Sequence, residues 1–182
     1  MGIELAECFA KEGAEVTLIC GHSAIPSRHP NVHRINVMSA QEMYDHALKA
    51  FTATDIAVLA AAVADYRPVS QSLQKIKKTG DKLTLELVKN PDILATLGKK
   101  KTKSQILVGF ALETEHELLY ARQKLQAKNL DYIVLNSLND PGAGFKTNTN
   151  KITILSASGA VQTFDLKPKA AVAVDIVNTI LV

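Results

Sequence analysis

Three short segments between positions 61 and 94 carry residue types suited to the binding of a nucleotide. Residues 61–67 (AAVADYR) end an apolar run in small residues and an acid, residues 75–78 (KIKK) place lysines in a polar stretch, and residues 88–94 (VKNPDIL) bring Asn-Pro-Asp to an expected helix start. Small residues let a ligand approach the backbone, a lysine can neutralise phosphate, and a helix start offers free N–H donors. Together the segments predict a nucleotide-handling site.

In the first segment, small side chains precede a carboxylate. Ala60, Ala61 and Ala62 leave room where a strand meets a ligand, and Asp65 supplies an acceptor for a hydroxyl, an amide or a metal-bound water. The same residues also suit tight packing of a helix on a sheet, with Asp65 as a turn residue. Spacing alone leaves both interpretations open.

The second and third segments also have two interpretations each. Lys75 follows a Ser/Gln-rich loop, so it could swing over a bound triphosphate and stabilise charge growing on phosphorus, or it could belong to a solvated basic loop. Asn90 can cap a helix, Pro91 fits the first helical position and Asp92 suits the helix dipole. The exposed amides there could read a base edge or hold an anion, although an ordinary helix start has the same sequence.

A later helix places a tyrosine and two lysines on one face. Tyr120, Lys124 and Lys128 follow one another at four-residue spacing, so the lysines could clamp phosphates or simply be surface charges. Tyr120 and Lys124 also match Tyr-x-x-x-Lys, the acid/base pair of short-chain dehydrogenases. The Ser that this class places upstream of the Tyr is missing, since positions 106–109 are Ile, Leu, Val and Gly.

The elements that must position these residues alternate between helices and strands. Apolar residues at helical spacing and two capping boxes, Ser39 with Glu42 and Thr114 with Glu117, mark the helices. Helices are predicted at 3–11, 39–51, 91–97, 114–127 and 170–181, and strands at 14–20, 32–37, 55–63, 83–88, 105–110, 131–136, 151–155 and 161–166. The last two strands form a predicted hairpin around a Ser-Gly turn.

This order predicts a single doubly wound α/β domain over residues 1–182, with a mostly parallel, Rossmann-like sheet and a C-terminal β-hairpin addition. Ligands of such sheets bind beyond the carboxyl ends of the strands, where Asp65, Phe110 and Asn136 fall. The sequence opens on a helix followed by the strand 14–20, which is the second half of a βαβ unit. We therefore expect a strand and a Gly-rich loop to precede it, and in the usual strand order that strand is central.

The bulk composition favours a globular protein that acts on a small anion. The chain has 182 residues, 47% hydrophobic and 21% charged, which suits one domain with a full core. A net charge of +3 suits an anionic small substrate better than nucleic acid. The basic run at 99–103 contains no aromatic residue for stacking on bases, so it is interpreted as a solvated turn and no nucleic acid partner is expected.

Three further features limit location and partners. No apolar run approaches the roughly 20 residues that cross a bilayer, so no membrane partner is expected. Cys8 and Cys20 are too few for a disulfide framework, which fits a reducing, cytoplasmic location. His29 and His33 flank Pro30 with no third ligand nearby, so no metal ligand is assigned with certainty.

Taken in order, these motifs resemble the phosphopantothenate–cysteine ligase family, the synthetase half of the bacterial flavoprotein of coenzyme A biosynthesis. The resemblance runs through essentially the whole chain, and the ordered set is specific where no single motif is. Besides the three opening segments it includes residues 14–21, 108–110 (VGF), 128–131 (KNLD) and 144–150 (GFKTNTN).

The resemblance implies a two-step reaction. The carboxylate of 4′-phosphopantothenate attacks the α-phosphorus of CTP and releases pyrophosphate, and the amine of cysteine then attacks the acyl-cytidylate and releases CMP. Mg²⁺ would accompany the triphosphate. A site rich in lysine and poor in histidine suits this chemistry, because positioned cations stabilise the charge that forms on phosphorus.

The resemblance also implies roles for individual residues. Lys75 matches the catalytic lysine of a flexible flap, and Ala61, Ala62 and Asp65 match the junction where nucleotide and pantothenate meet. Residues 91–94 match the segment that reads cytosine, mainly through backbone groups. The nucleotide-binding set is Ala60, Ala61, Asp65, Lys75, Pro91, Asp92, Ile93, Leu94, Phe110, Lys124 and Lys128.

The family's assembly adds expectations about partners. It implies a homodimer with the late hairpin at the interface and, as a further partner, the flavin-dependent decarboxylase half. The family's opening strand, Gly-rich turn and acyl-cytidylate loop precede the matched part, so we expect this polypeptide alone to be weak or inactive. Two other functions compete: an NAD(P)-dependent, short-chain-type oxidoreductase on the same scaffold, and a non-catalytic dimerising remnant.

Overall fold

The computed structural model describes residues 1–70, 72, 74–77, 80–113, 115–137 and 147–181. Some sequence predictions fall outside these ranges. Lys78 of the KIKK segment, Thr114 of the second capping box and residues 144–146 of the GFKTNTN segment belong to this group.

Helices and strands alternate along most of the chain. The helices are α1 (Gly2–Lys11), α2 (Ala40–Phe51), α3 (Ile93–Lys100), α4 (Glu117–Ala127) and α5 (Lys169–Leu181). The strands are β1 (Val16–Cys20), β2 (Val32–Asn36), β3 (Ile56–Leu59), β4 (Tyr66–Pro68), β5 (Leu87–Lys89), β6 (Ile106–Glu113), β7 (Tyr132–Ser137), β8 (Thr149–Ser156) and β9 (Val161–Pro168).

The largest sheet has the strand order β3-β6-β7-β8-β9. Strands β3, β6 and β7 are parallel, and β8 and β9 add to them as an antiparallel hairpin. Strands β1 and β2 form a separate parallel pair, and β4 and β5 form a short antiparallel pair. The predicted α/β fold with a mostly parallel core and a C-terminal hairpin is confirmed.

Helices cover both faces of the large sheet, as a doubly wound fold requires. On one face, α1 and α5 pack against β6, β7 and β8, with Val108 and Val134 fully buried. On the other face, α2, α3 and α4 pack against the alternate residues of the same strands, including Leu107 and Ile133. This two-sided burial explains why the central strands read as continuous apolar runs.

A cavity separates β1 from β3. Strand β1 pairs with β2 and β3 pairs with β6, and no ladder joins β1 to β3 within the described ranges. The cavity has a volume of about 1760 Å³ and is lined along both strands by apolar residues such as Val16, Leu18 and Val58.

Several element limits differ from the prediction. Strand β3 ends at Leu59 rather than at 63, because Leu59 is the last residue in register with β6 and the alanines that follow have low strand propensity. Helix α3 begins at Ile93 with Asp92 as its N-cap, so Asn90 is not the cap. Helix α4 begins at Glu117 after His116, whose φ is 47° and whose side chain makes no capping bond.

The basic run at 99–103 is not wholly a solvated turn. The Lys101 ammonium lies 2.7 Å from both carboxylate oxygens of Asp131, and only 11% of its side chain is exposed. One of those oxygens also accepts the Leu107 N–H at 2.7 Å. Lys101 therefore links the end of α3 to the strands of the large sheet.

Candidate active site

Most of the predicted site residues line the same cavity. Those on its surface are Ala60, Ala61, Asp65, Pro91, Asp92, Ile93, Leu94, Phe110, Lys124 and Lys128. Ala62 and Lys75 do not belong to its lining. The fold thus brings together segments that are up to about seventy positions apart in the sequence, because they all follow or border the carboxyl ends of β3 and β6.

Residues 60–65 form the part of the cavity that follows β3. Ala61 and Asp65 are exposed, and the Asp65 backbone carbonyl accepts the Asn90 N–H at 2.8 Å. The Asp65 carboxylate is therefore available to solvent or to a ligand, while its backbone is fixed. This arrangement fits the predicted role of Asp65 as an acceptor and leaves space for a ligand beside the alanines.

The start of α3 forms a second part of the cavity. One oxygen of the Asp92 carboxylate accepts the Ala95 N–H at 2.9 Å, which makes Asp92 the N-cap of the helix. The side chains of Ile93 and Leu94 are buried in the core between α3 and the sheet. A ligand at this helix start would meet backbone groups beside the Asp92 carboxylate, and the backbone recognition expected for residues 91–94 stays a prediction.

Two lysines of α4 reach the cavity. The Lys124 ammonium donates to the Phe110 carbonyl at 3.0 Å, and the Lys128 ammonium donates to Asp92 at 2.8 Å. Tyr120 does not line the cavity; its ring contacts His116 edge-on, with 6.0 Å between the ring centroids. The predicted shared face therefore supplies the two cations but not the tyrosine, and Tyr120 and Lys124 do not form an acid/base pair in the cavity.

The Asp92 carboxylate is held in its ionised form. Partial burial raises its pKa, but the hydrogen bonds from Ala95 and Lys128 and the charges of Lys128 and Lys124 outweigh that effect. The net result is a pKa below the usual value for aspartate. Asp92 thus partly neutralises the lysines and holds Lys128 beside the helix start.

Close backbone packing fixes Lys128 relative to α3. A Cβ atom at Gly98 would overlap the carbonyl oxygen of Lys128, and the Asn129 side chain donates to the Gly98 carbonyl at 2.8 Å. Asn129 ends α4 in the left-handed region with φ of 52°. The sequence analysis missed Gly98, although a glycine inside a helical pattern is itself a signal of close packing.

Lys75 lies on a different kind of surface. We call residues 66–89, from β4 to β5, the arm. Every described residue of the arm is exposed, including Lys75, and its strands span only three residues each. The structure therefore places the predicted catalytic lysine outside the cavity lining, on a segment that leaves and re-enters the domain beside Asp65 and Asn90.

The donor set suits a metal ion that arrives with a ligand rather than one held by protein alone. Among the described residues, no group of three or more His, Cys, Asp or Glu side chains could hold a metal ion. Mg²⁺ with a triphosphate needs only one or two carboxylates, because phosphate oxygens and water complete its coordination. The exposed Asp65 carboxylate fits that requirement.

The chain matches a known family over its full length. A family model described as the DNA/pantothenate metabolism flavoprotein C-terminal domain matches residues 1–182. The chain belongs to this family. A "Cysteine/Cysteine sulfinic acid decarboxylase" from an unknown prokaryotic organism is 50% identical over 181 residues, which are 100% of this chain and 50% of that protein. The "Coenzyme A biosynthesis bifunctional protein CoaBC" of Haemophilus influenzae is 43% identical over 181 residues, 100% of this chain and 44% of that protein.

Two solved structures share the fold of this chain. The C-terminal domain of a coenzyme A biosynthesis bifunctional protein CoaBC matches with a TM-score of 0.81 and 33% identity, covering 98% of this chain and 79% of that chain. A mutant of Cab2 in complex with phosphopantothenate-cysteine matches with a TM-score of 0.70 and 19% identity, covering 98% and 75%. The chain spans about half the length of the curated relatives that it matches.

Two further observations concern membrane-spanning helices and the Cys8 thiol. In the described part of the chain, no helix combines the length and apolar character that crossing a bilayer demands. Cys8 is packed in the core, where burial raises the pKa of its thiol, as an inert structural thiol requires.

Proposed function

We propose that this chain is a phosphopantothenate–cysteine ligase domain that uses CTP to activate 4′-phosphopantothenate for reaction with cysteine. The observation that carries the proposal is the cavity in which Lys124 and Lys128 stand beside the start of α3 and the backbone of residues 60–65. The names of the CoaBC relatives and the phosphopantothenate-cysteine complex of the Cab2 mutant support the same reaction.

In the first step, a carboxylate oxygen of 4′-phosphopantothenate forms a bond to the α-phosphorus of CTP, and the bond from that phosphorus to pyrophosphate breaks. Negative charge accumulates on the phosphate oxygens, so fixed cations lower the barrier more than acid/base groups do. Lys124 and Lys128 would contact the triphosphate from the cavity, and Lys75 would approach from the arm. Mg²⁺ would neutralise the triphosphate, with Asp65 as its protein contact through water.

In the second step, the amine of cysteine attacks the acyl carbon of the acyl-cytidylate. The new amide bond forms as CMP leaves, and the amine loses a proton. The start of α3 supports recognition of the base, because the N–H groups of Ile93 and Leu94 precede the first helical hydrogen bonds and their side chains are buried in the core. Recognition of cytosine through the backbone leaves little trace in side chains, so CTP is a proposal that must be tested against ATP.

Ligand-induced stabilisation tests the proposal without requiring turnover. A ligand that binds only the folded state raises the melting temperature. We expect CTP with Mg²⁺ to raise the melting temperature, ATP with Mg²⁺ to raise it less, and NADPH to leave it unchanged. A shift with NADPH alone would favour the oxidoreductase, and no shift with any nucleotide would favour the non-catalytic remnant.

A turnover assay then tests the ligase reaction itself. CTP, 4′-phosphopantothenate and cysteine are supplied together, and pyrophosphate release is followed with omission of each substrate as a control. We expect release that depends on 4′-phosphopantothenate and on cysteine-independent attack at the α-phosphorus of CTP. Release that is equally fast without 4′-phosphopantothenate would contradict the proposed ligase.

We also propose a cytoplasmic homodimer that meets through the C-terminal hairpin, with the decarboxylase half of a bifunctional protein as a neighbour. Strand β9 is the last strand of the large sheet and exposes Val161 and Leu166, which supports an association surface there. Light scattering on the chain and on a Val161→Lys, Leu166→Lys variant tests this. A wild-type monomer at all concentrations would contradict it.

A further inference from the structure

The loop after β3 and the start of α3 are joined by one buried side chain. Asn90 is only 8% exposed, and with Asn150 it is one of the two buried polar residues in the described part of the chain. A buried amide is costly unless its donor and acceptor groups are hydrogen-bonded. The partners of Asn90 therefore indicate why an amide is kept at this place.

Within the described part of the chain, the hydrogen bonds of Asn90 all join it to residues 64–67. Its side-chain amide donates to the Ala64 carbonyl at 2.8 Å, its side-chain carbonyl accepts from the Arg67 guanidinium at 2.9 Å, and its backbone N–H donates to the Asp65 carbonyl at 2.8 Å. Arg67 also donates to the Lys89 carbonyl at 3.3 Å. Together these contacts form what we call the Asn90 clamp.

The clamp replaces sheet hydrogen bonds that the loop lacks. Residues 60–64 lie beyond the last register pair of β3 with β6, so no ladder holds them. On its other side, Asn90 is followed directly by Pro91, whose ring fixes φ, and by the N-cap Asp92. A movement of the loop is therefore transmitted to the helix start, and both border the same cavity.

The chemistry of the contacts selects asparagine. The side chain must donate to the Ala64 carbonyl and accept from Arg67 at the same time, which an amide does and an ionised carboxylate does not. An aspartate would keep the contact with Arg67 but place a carboxylate oxygen against the Ala64 carbonyl. Alanine would leave the guanidinium and a carbonyl without their buried partner.

We propose that Asn90 is a positioning residue, which sets the distance between the loop that borders the pantothenate-binding junction and the helix start that binds the nucleotide. This proposal rests on the proposed function. Because a displacement of about 1 Å between reacting groups can cost about a hundredfold in rate, the clamp acts on the first step, in which two bound substrates must meet.

Two asparagine variants separate positioning from stability. Asn90→Ala removes the clamp, whereas Asn150→Ala removes another buried amide, which bonds the Asn136 side chain at 3.0 Å and does not line the cavity. At a temperature where both are folded, we expect Asn90→Ala to lower kcat about a hundredfold and Asn150→Ala to change it less than about threefold. Asn90→Asp, which keeps the Arg67 contact but sets a carboxylate oxygen against the Ala64 carbonyl, should fall between them.

Equal kcat for Asn90→Ala and Asn150→Ala at equal loss of melting temperature would overturn the positioning role.

Hydrogen exchange without ligands tests the clamp separately from the proposed function. We expect Asn90→Ala to speed exchange at the amides of residues 90 and 92–95 more than about tenfold, with Asn150→Ala leaving them as in wild type. Unchanged exchange in Asn90→Ala would refute the clamp. If exchange in Asn90→Ala is faster as expected but the wild-type protein neither binds CTP nor turns over, the proposed function is refuted and the clamp remains supported.

Discussion

The arm and the cavity floor are built in opposite ways. We call residues 60–65 and 90–94, with Phe110, Lys124 and Lys128, the floor. The floor is anchored by Asn90, by the buried side chains of Ile93 and Leu94, and by the bonds of both lysines. The arm has no buried residue in its described part and exposes large apolar side chains, namely Tyr66, Val69, Ile76, Leu83, Leu85, Leu87 and Val88.

This contrast separates two tasks of the proposed enzyme. Groups that bind ground-state substrates gain from being held in place before binding, because less freedom is lost when the ligand arrives. A group that acts on the transition state can arrive later, when a segment closes over the ligand. We therefore expect changes in the floor to alter affinity and changes in the arm to alter turnover.

The largest expected effect is at Lys75. Lys75→Gln should lower turnover about a hundredfold, because it removes a cation from the charge that grows on phosphorus. The dissociation constant for CTP with Mg²⁺, measured by calorimetry, should stay within about twofold, since Lys75 does not line the cavity. Lys77→Gln is the matched control, as Lys77 is exposed on the same arm. Equal turnover in both variants would remove Lys75 from the mechanism.

A smaller but substantial effect is expected at Gly98. Gly98→Ala should destabilise the protein by about 2 kcal/mol, because the new methyl group would overlap the Lys128 carbonyl and push α3 from the end of α4. It should also weaken CTP binding by moving Lys128. Gly2→Ala is the matched control in a helix, since nothing lies within 4 Å of its Cβ position, and it should be neutral or stabilising by up to about 1 kcal/mol. Urea unfolding measures both, and equal values would contradict this packing.

The lysines of the floor should contribute to affinity individually. Lys124→Met and Lys128→Met are each expected to weaken CTP binding about tenfold, since each removes one charge-assisted contact of about 1.4 kcal/mol with phosphate. The loss should shrink only partly at high salt, because both lysines are half-buried and salt screens such charges less than exposed ones. Lys99→Met, an exposed lysine at the end of α3, should leave binding unchanged. An equal loss in Lys99→Met would indicate a general effect of net charge instead.

The smallest expected effect is a pH dependence at Asp92. The folded protein holds the pKa of Asp92 below its usual value, so ionised Asp92 stabilises the fold at pH values above about 4. That contribution is lost as the pH falls through the lower, folded-state pKa. It should be under about 1 kcal/mol, because 45% of the side chain is exposed and solvent screens the ion pair. Urea unfolding of wild type and Asp92→Asn between pH 7 and pH 3 measures it, and the difference between them should shrink toward pH 3.

Sequence patterns predicted the elements but not every role within them. The Ser39 cap of α2 is present, with its hydroxyl accepting the Glu42 N–H at 3.1 Å, although the Glu42 carboxylate accepts the Met38 N–H at 2.8 Å instead of completing the box at Ser39. The terminal hairpin forms as expected. Both are local features, in which partners lie a few residues apart. Asn90 shows the limit of such reasoning, because a helix cap and a long-range clamp look the same in the sequence, and only the position of Ala64 and Arg67 distinguishes them.

Contacts between distant segments were also beyond the sequence. The ion pair of Lys101 with Asp131 and the packing of Gly98 on Lys128 depend on how α3 and α4 cross, which no local pattern encodes. By contrast, the fold class predicts that residues 60–65, 90–94, Lys124 and Lys128 converge on one cavity, because ligands of such sheets bind at the carboxyl edge. The fold class does not predict that Lys75 lies away from the lining of that cavity.

Mapping CTP on the protein by amide chemical shifts tests the central claim most directly. Titration of ¹⁵N-labelled protein with CTP and Mg²⁺ should shift the amides of residues 60–65, 92–94 and 110 and the signals of Lys124 and Lys128, with smaller changes for NADPH. Shifts confined to other surfaces, or equal shifts with both nucleotides, would contradict a triphosphate site at the carboxyl edge of this sheet.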